Sequence, residues 1–370
     1  MLADDIDTYL ERYRDQGLLR SLKNEKYDKK RYLNFSSNDY LALSSDVEAL
    51  NYGFQAALHY GTGSTGSRLL SGNHDIFYEF EKTIAKNKQT ESALIFNSGY
   101  IANLSVISAF SALGYQLIFD KLNHASMYQG ADLKTLKRFK HLNYEQLEDI
   151  LKNTPGKKVI ASETVFGMDG DKADVEQLIR LSEQYDAVLY LDEAHATGLY
   201  GKDGYGLSTD YQFDSERTVI MGTFSKALAS SGAYVACSAK FKEFLIQVSK
   251  GFTYSTALSP FCIAVAWYNW DRMPSSIWEF RRNFLQDTAK FLRIELRNAG
   301  IKFVGRDTNI VAITYDDVDE MLKDHEKLLQ NDIITSAIRR PTSPTPRIRI
   351  AVNAAHTYTQ VSRIAEILKK

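Results

Sequence analysis

Short apolar runs separated by longer amphipathic stretches dominate the middle of the chain, at residues 93–96, 116–119, 158–161, 187–191, 218–221 and 233–237. Runs of this length read as strands buried on both faces, and the stretches between them as helices. Their alternation predicts a mostly parallel sheet covered on both sides. Ahead of it, residues 1–22 read as helical, 24–30 as a turn and 31–35 as a short extended segment. Helical spacing at 49–60 is then broken by the glycine-rich run Gly61-Thr62-Gly63-Ser64-Thr65-Gly66-Ser67-Arg68. After an aromatic helix around Trp267 and Trp270 the pattern changes. A charged helix near 279–298, a strand at 309–314, a helix at 318–330, a strand at 347–352 and a final helix follow. The expected organisation is α/β: an arm at 1–48, a large domain at 49–270 and a smaller α+β domain at 271–370. No internal repeat and no low-complexity linker interrupts it.

Composition narrows the class. A chain of 370 residues suits one large domain with a smaller one. Forty-five basic residues against 46 acidic ones give a formal charge of -1, which offers no electrostatic footprint for nucleic acid or an anionic membrane. The only cysteines, Cys237 and Cys262, sit in apolar runs and read as free thiols in a reducing compartment. The acidic start Met1-Leu2-Ala3-Asp4-Asp5 lacks a secretory pattern, and no apolar run reaches the ~18 residues of a membrane span. A cytoplasmic protein with no membrane or nucleic-acid partner is expected.

The chemistry concentrates where apolar runs end. Lys226 closes Thr223-Phe224-Ser225-Lys226 after one run, and Asp192-Glu193-Ala194-His195 follows the run before it. In open α/β sheets, ligands bind at the carboxyl ends of parallel strands. An amine that joins an aldehyde cofactor needs a distant carboxylate facing the ring nitrogen, so that the pyridinium stays protonated and accepts electrons. Lys226 and Asp192 therefore suggest a pyridoxal phosphate (PLP) site. Asn97-Ser98-Gly99-Tyr100 comes between an apolar run and a helical segment, a strand-to-helix turn of the kind that receives a phosphate. His124, in Asn123-His124-Ala125-Ser126, also follows a run and could lie flat on a conjugated ring; His195 could reach the cofactor's phenolic oxygen.

Rival motifs fail on chemistry. Gly61, Gly63 and Gly66 match a dinucleotide fingerprint, and Gly61 with Gly66 the frame of a P-loop. Both motifs need a preceding strand where this chain reads as helix, and the P-loop needs Lys where Ser67-Arg68 stand. Asp192-Glu193-Ala194-His195 spells a helicase name but has no phosphate-cradling lysine. No histidine pair has zinc spacing, so no metal is expected.

Taken together, the chain resembles the α-oxoamine synthases, fold-type I PLP-dependent transferases that condense an amino acid with an acyl thioester and release carbon dioxide. The resemblance runs almost end to end. Its blocks are Asn34-Phe35-Ser36-Ser37-Asn38-Asp39-Tyr40-Leu41, the loop 61–72, Asn123-His124-Ala125-Ser126, Met168-Asp169-Gly170-Asp171, residues 192–198, 223–226 and Tyr254-Ser255-Thr256. Residues 192–198 and Ile338-Arg339-Arg340-Pro341-Thr342 resemble most the 8-amino-7-oxononanoate synthase branch of biotin biosynthesis. That branch joins L-alanine to a pimeloyl thioester of coenzyme A or acyl carrier protein. Glycine C-acetyltransferase, 5-aminolevulinate synthase and serine palmitoyltransferase share most of the blocks and stay open, as does a catalytically silent scaffold subunit, in which the lysine would be lost.

The resemblance implies roles. Lys226 bonds the cofactor and acts as general base; His124 stacks on the ring; Asp192 pairs with its nitrogen; His195 meets the phenolic oxygen. Gly99 and Tyr100 contact the cofactor, Tyr100 near its phosphate, and Thr223 helps hold the phosphate. Ser255 and Thr256 reach the phosphate of a partner subunit, which implies a homodimer with shared sites. Arg20, Asn38, His124, Thr342 and Arg349 contact substrate, with Arg349 gripping the carboxylate. One position departs from the family pattern: Gly167 stands where the family carries serine, so a hydroxyl contact to the cofactor is missing or made differently.

Overall fold

A computed structural model of the chain describes residues 2–15, 19, 32–340, 342–343 and 345–369. Its strands in chain order are β1 (Leu33–Asn34), β2 (Ser92–Phe96), β3 (Gln116–Asp120), β4 (Leu136–Phe139), β5 (Lys158–Glu163), β6 (Ala187–Asp192), β7 (Thr218–Thr223) and β8 (Ala233–Cys237). Then come β9 (Phe303–Val304), β10 (Ile310–Thr314), β11 (Ile333–Ile334), β12 (Ser336–Ile338) and β13 (Arg347–Ala351).

Seven strands form one sheet in the order β2-β8-β7-β6-β5-β3-β4. The pairs from β7 through β4 are all parallel, and β8 is antiparallel to both its neighbours. Thus the expected mostly parallel sheet forms, and it does so because its runs are apolar on both faces. β6 and β7, for example, are buried almost throughout. Helices cover both sides; on one face Leu147, Leu178 and Leu181 pack against Ile118, Ile160 and Leu189, and on the other Val106 and Phe110 pack against Leu117, Val159 and Val235.

The seventh strand, β4, was not among the six apolar runs. It lies at the sheet's edge beside β3, and only Phe139 of its four residues is buried, so it needs no continuous apolar run. A second sheet, β12-β13-β10-β9, is antiparallel, and β1 pairs with β11. The helix Ser276–Asn298 buries Leu285, Leu292 and Leu296 in the core that this sheet shares with Tyr358–Leu368. Cys237 is buried in β8 and Cys262 half-buried in the helix Pro260–Asp271; both are free.

Candidate active site

Five strands that point the same way deliver their carboxyl ends to one edge of the large sheet. β2 leads to Gly99, β3 to His124, β5 to Glu163 and Gly167, β6 to Asp192 and His195, and β7 to Thr223 and Lys226. Register makes the placement definite: Glu163 of β5 lies beside Asp192 of β6, and Asp192 beside Met221 of β7. A cavity of about 220 Å³ opens there, lined by Gly99, Tyr100, His124, Asp192, His195, Thr223 and Lys226, all seven expected as cofactor residues. Glu163, Asn103, Ser126 and Ser225 complete much of the wall. A larger open groove of about 840 Å³ lies elsewhere, lined by side chains such as Lys172, Arg282, Arg293 and Arg306. Volume does not pick out the site, because a still larger open groove of about 990 Å³ runs past Asp169, Lys172 and Arg306; the convergence of nucleophile and carboxylates selects the smaller cavity.

Local structure explains each placement. Ser98 caps the helix Gly99–Ala112 by accepting Ile101 N–H, and the N–H groups of Gly99 and Tyr100 belong to the first turn, where no intrahelical acceptor exists. That end carries the positive pole of a 14-residue helix. The Thr223 hydroxyl donates to Gly232 O at 2.8 Å and lies 2.8 Å from Ser225 Oγ, tying the ends of the Lys226 loop together. Asp192 is buried; its Oδ1 accepts Ala194 N–H at 2.8 Å and its Oδ2 accepts Asn103 Nδ2–H at 2.7 Å. The same amide donates to Ser126 Oγ at 3.0 Å, and Ser126 Oγ lies 2.7 Å from His124 Nδ1. Tyr190 O–H completes the chain by donating to Asn103 Oδ1.

Electrostatics follow from enclosure. Burial lowers the pKa of Lys226 to about 8, against the pull of Asp192 and Glu163 and with help from Arg349. Glu163 is pushed up to about 8, first by burial and then by Asp192, although Lys226 and the N–H groups of Gly167 and His124 favour its charge. Burial and the nearby cations Lys226 and Arg349 hold His195 well below the ordinary imidazole range. Burial lowers His124 too, with Asp192 opposing.

The expected substrate contacts divide. Arg349, buried in β13, donates from Nη2 to Asn38 Oδ1 at 3.0 Å and to Tyr40 Oη at 3.3 Å. Tyr40 in turn meets His195 Nδ1 at 2.7 Å, so Arg349 and Asn38 join the cavity through one side chain. Thr342 lies exposed on the turn between β12 and β13. Arg20 and Pro341 lie outside the described residues, as do parts of the expected first helix and the turn after it. Ser255 and Thr256 do not line their own chain's cavity; Thr256 bridges to Ser67 and its carbonyl accepts Asn97 Nδ2–H at 2.7 Å.

Sequence reading missed Glu163, Asn103, Tyr40 and Lys88. Lys88 is fully buried and pairs with Glu193, next to Asp192, while also donating to Tyr205 O at 2.8 Å and Ser208 Oγ at 2.9 Å. A polar residue at the end of an apolar run was the available signal for Glu163; the others have partners too distant in sequence to be read.

Residues 30–368 match the model of the aminotransferase class I and II family. The chain belongs to that family. It is 36% identical over 373 residues to an 8-amino-7-oxononanoate synthase from Lysinibacillus sphaericus, covering 96% of this chain and 95% of the relative. The crystal structure of an 8-amino-7-oxononanoate synthase from Francisella tularensis matches with a TM-score of 0.80 and 27% identity, over 92% of this chain and 98% of that one. A solved serine palmitoyltransferase structure with PLP matches with a TM-score of 0.89 and 24% identity, over 100% of this chain and 98% of that one. The fold is that of a fold-type I PLP enzyme, and PLP is the cofactor. The cavity suits it: an enclosed amine of lowered pKa, a buried carboxylate with fixed partners and a helix N-terminus beside hydroxyls form one wall system. Among the described residues no helix is long and apolar enough to cross a membrane, and no cluster of His, Cys, Asp and Glu is placed to hold a metal.

Proposed function

We propose that the protein condenses L-alanine with a pimeloyl thioester, of coenzyme A or acyl carrier protein, giving 8-amino-7-oxononanoate, carbon dioxide and free thiol. The observation that carries this reading is the meeting of Lys226 and Asp192 in one cavity, in a chain similar throughout its length to a synthase of that name. Bound PLP supplies an aldehyde that joins the amino group and a ring that takes up the electron pair released at the adjacent carbon.

The chain's own groups supply the rest. Asp192, fixed by Ala194 and Asn103, pairs with the ring nitrogen. His124 packs against the ring, and His195 faces the phenolic oxygen. Gly99, Tyr100 and Thr223 hold the phosphate, with Ser255 and Thr256 of a second copy. Lys226 would hold the cofactor, and its amine, once free and neutral, would take the proton from the substrate α-carbon at Nζ. Arg349 grips the carboxylate, with Asn38 beside it. In net terms a bond forms between the α-carbon and the acyl carbon, the acyl carbon–sulfur bond breaks, the carboxylate leaves as carbon dioxide, and the α-carbon regains a proton.

Steady-state rates with pimeloyl, succinyl and acetyl thioesters, each paired with alanine, glycine and serine, test the assignment. Pimeloyl with alanine should give the highest kcat/KM. Glycine is expected to trail alanine by only about 1–3 kcal/mol, the worth of one methyl in a pocket. If acetyl with glycine leads, the protein is a glycine C-acetyltransferase and the substrate assignment falls.

A further inference from the structure

Gly167 sits on the loop after β5, and its backbone is not in the left-handed region, so conformational freedom does not explain the glycine. A neighbour does. A Cβ built at this position would lie 2.6 Å from Cε1 and 2.9 Å from Cδ2 of His195, and closer still to Nε2. Carbon contacts are comfortable at ~3.5–4.0 Å, so the His195 ring and a side chain at 167 exclude each other as placed.

The ring is held in this recess from its other side, where Nδ1 lies 2.7 Å from Tyr40 Oη. Tyr40, fully buried, donates to Asn38 Oδ1 at 3.0 Å and receives Arg349 Nη2–H at 3.3 Å. Arg349 then returns to the starting point: its Nε donates to the carbonyl oxygen of Gly167 at 2.6 Å. One peptide unit thus touches the imidazole through its missing side chain and the guanidinium through its carbonyl.

We propose that Gly167 is a positioning residue that sets the span between His195 and Arg349, its recess seating the one and its carbonyl anchoring the other. This rests on the reading of His195 as facing the cofactor and of Arg349 as gripping the amino-acid carboxylate. A serine here, usual in the resembling family, would displace the His195 ring from the place it holds now.

The test compares PLP-loaded wild type, Gly167→Ala and Tyr40→Phe. Tyr40→Phe cuts the same circuit without adding bulk, so it carries the test if the alanine variant fails to fold. In each variant the pH midpoint of the visible absorption should move by about half a unit or more, and the KM for the amino acid should rise about tenfold, with the KM for the thioester unchanged. A lowered melting temperature with both readouts at wild-type values would overturn the proposal, because a purely structural role would give that result. Failure of the parent reading looks different: wild type would then show no visible band that Lys226→Ala abolishes.

Discussion

At the residue scale, the charge of one amine governs the site. A lysine of ordinary pKa, near 10.5, is less than ~1% neutral at pH 8, whereas Lys226, lowered to about 8, is half neutral there. Its side chain is only half-buried, but it lines the cavity beside buried Asp192 and Glu163, so desolvation and not exposure sets its basicity. Only the neutral amine can attack the aldehyde carbon of PLP. The rate at which PLP-free protein captures the cofactor, followed by visible absorption, should climb about tenfold per pH unit below 8 and level off above it. A climb continuing to pH 10 would mean that the amine is not desolvated as described. Lys226→Ala should remove the visible band and cost at least ~10³-fold in turnover, within the range that a positioned base contributes.

At the element scale, the loops after the strands are as important as the strands. Asp120, the buried last residue of β3, accepts Leu122 N–H at 2.8 Å and Leu142 N–H at 2.9 Å, and meets His141 Nδ1 at 3.0 Å. His141 also reaches Asp171 at 3.3 Å, which links the loop before the helix Tyr144–Lys152 to the one after β5. Burial would lower the pKa of this imidazole, yet its hydrogen bonds to Asp120 and Asp171 win and raise it to about 9. The folded value exceeds the unfolded one near 6.5, so the stabilisation is complete below pH 6.5 and is lost as pH rises through about 9. Unfolding by denaturant at pH 6 and pH 9.5 should reveal a loss on the order of 2 kcal/mol, after allowance for partial exposure. His141→Gln should flatten that difference; parallel curves for variant and wild type would remove His141 from the account.

Legibility in the sequence follows the same scale. Residues 116–119, 158–161, 187–191 and 218–221 announced themselves because a strand covered on both faces must be continuously apolar, and the first polar residues after such runs were bound to reach the sheet's edge. That logic delivered His124, Asp192, His195 and Lys226 to one cavity. It could not deliver Asn103, whose partner Asp192 is 89 residues away, or Tyr40, 155 residues from His195. Nothing local marks such pairs. Edge strand β4 escaped for the opposite reason, since exposure relieves it of the apolar pattern.

At the scale of the whole molecule, the remaining question is what completes the cavity's phosphate end. The segment holding Ser255 and Thr256 is fastened to the glycine-rich loop: Thr256 bridges Ser67, Ala257 N–H donates to Gly66 O at 2.9 Å, and Ser64 Oγ–H donates to Leu258 O at 2.7 Å. This joined unit carries Tyr254, 81% exposed, and Leu70, 84% exposed. Large apolar side chains on a well-tied surface fit a protein interface better than a solvated loop. We infer a two-fold homodimer in which Thr256 serves the partner's cavity, and subunit mixing tests it. Lys226→Ala lacks its amine, and Thr256→Glu sends a negative charge toward a phosphate; each should be inactive alone while sedimenting as a dimer. If Thr256 crosses the interface, each mixed dimer keeps one site with both an intact lysine and an intact threonine. Random reassociation makes half the dimers mixed, so about a quarter of wild-type activity should return. If Thr256 serves its own subunit, every site in the mixed dimer is damaged, and co-refolding the two variants restores nothing.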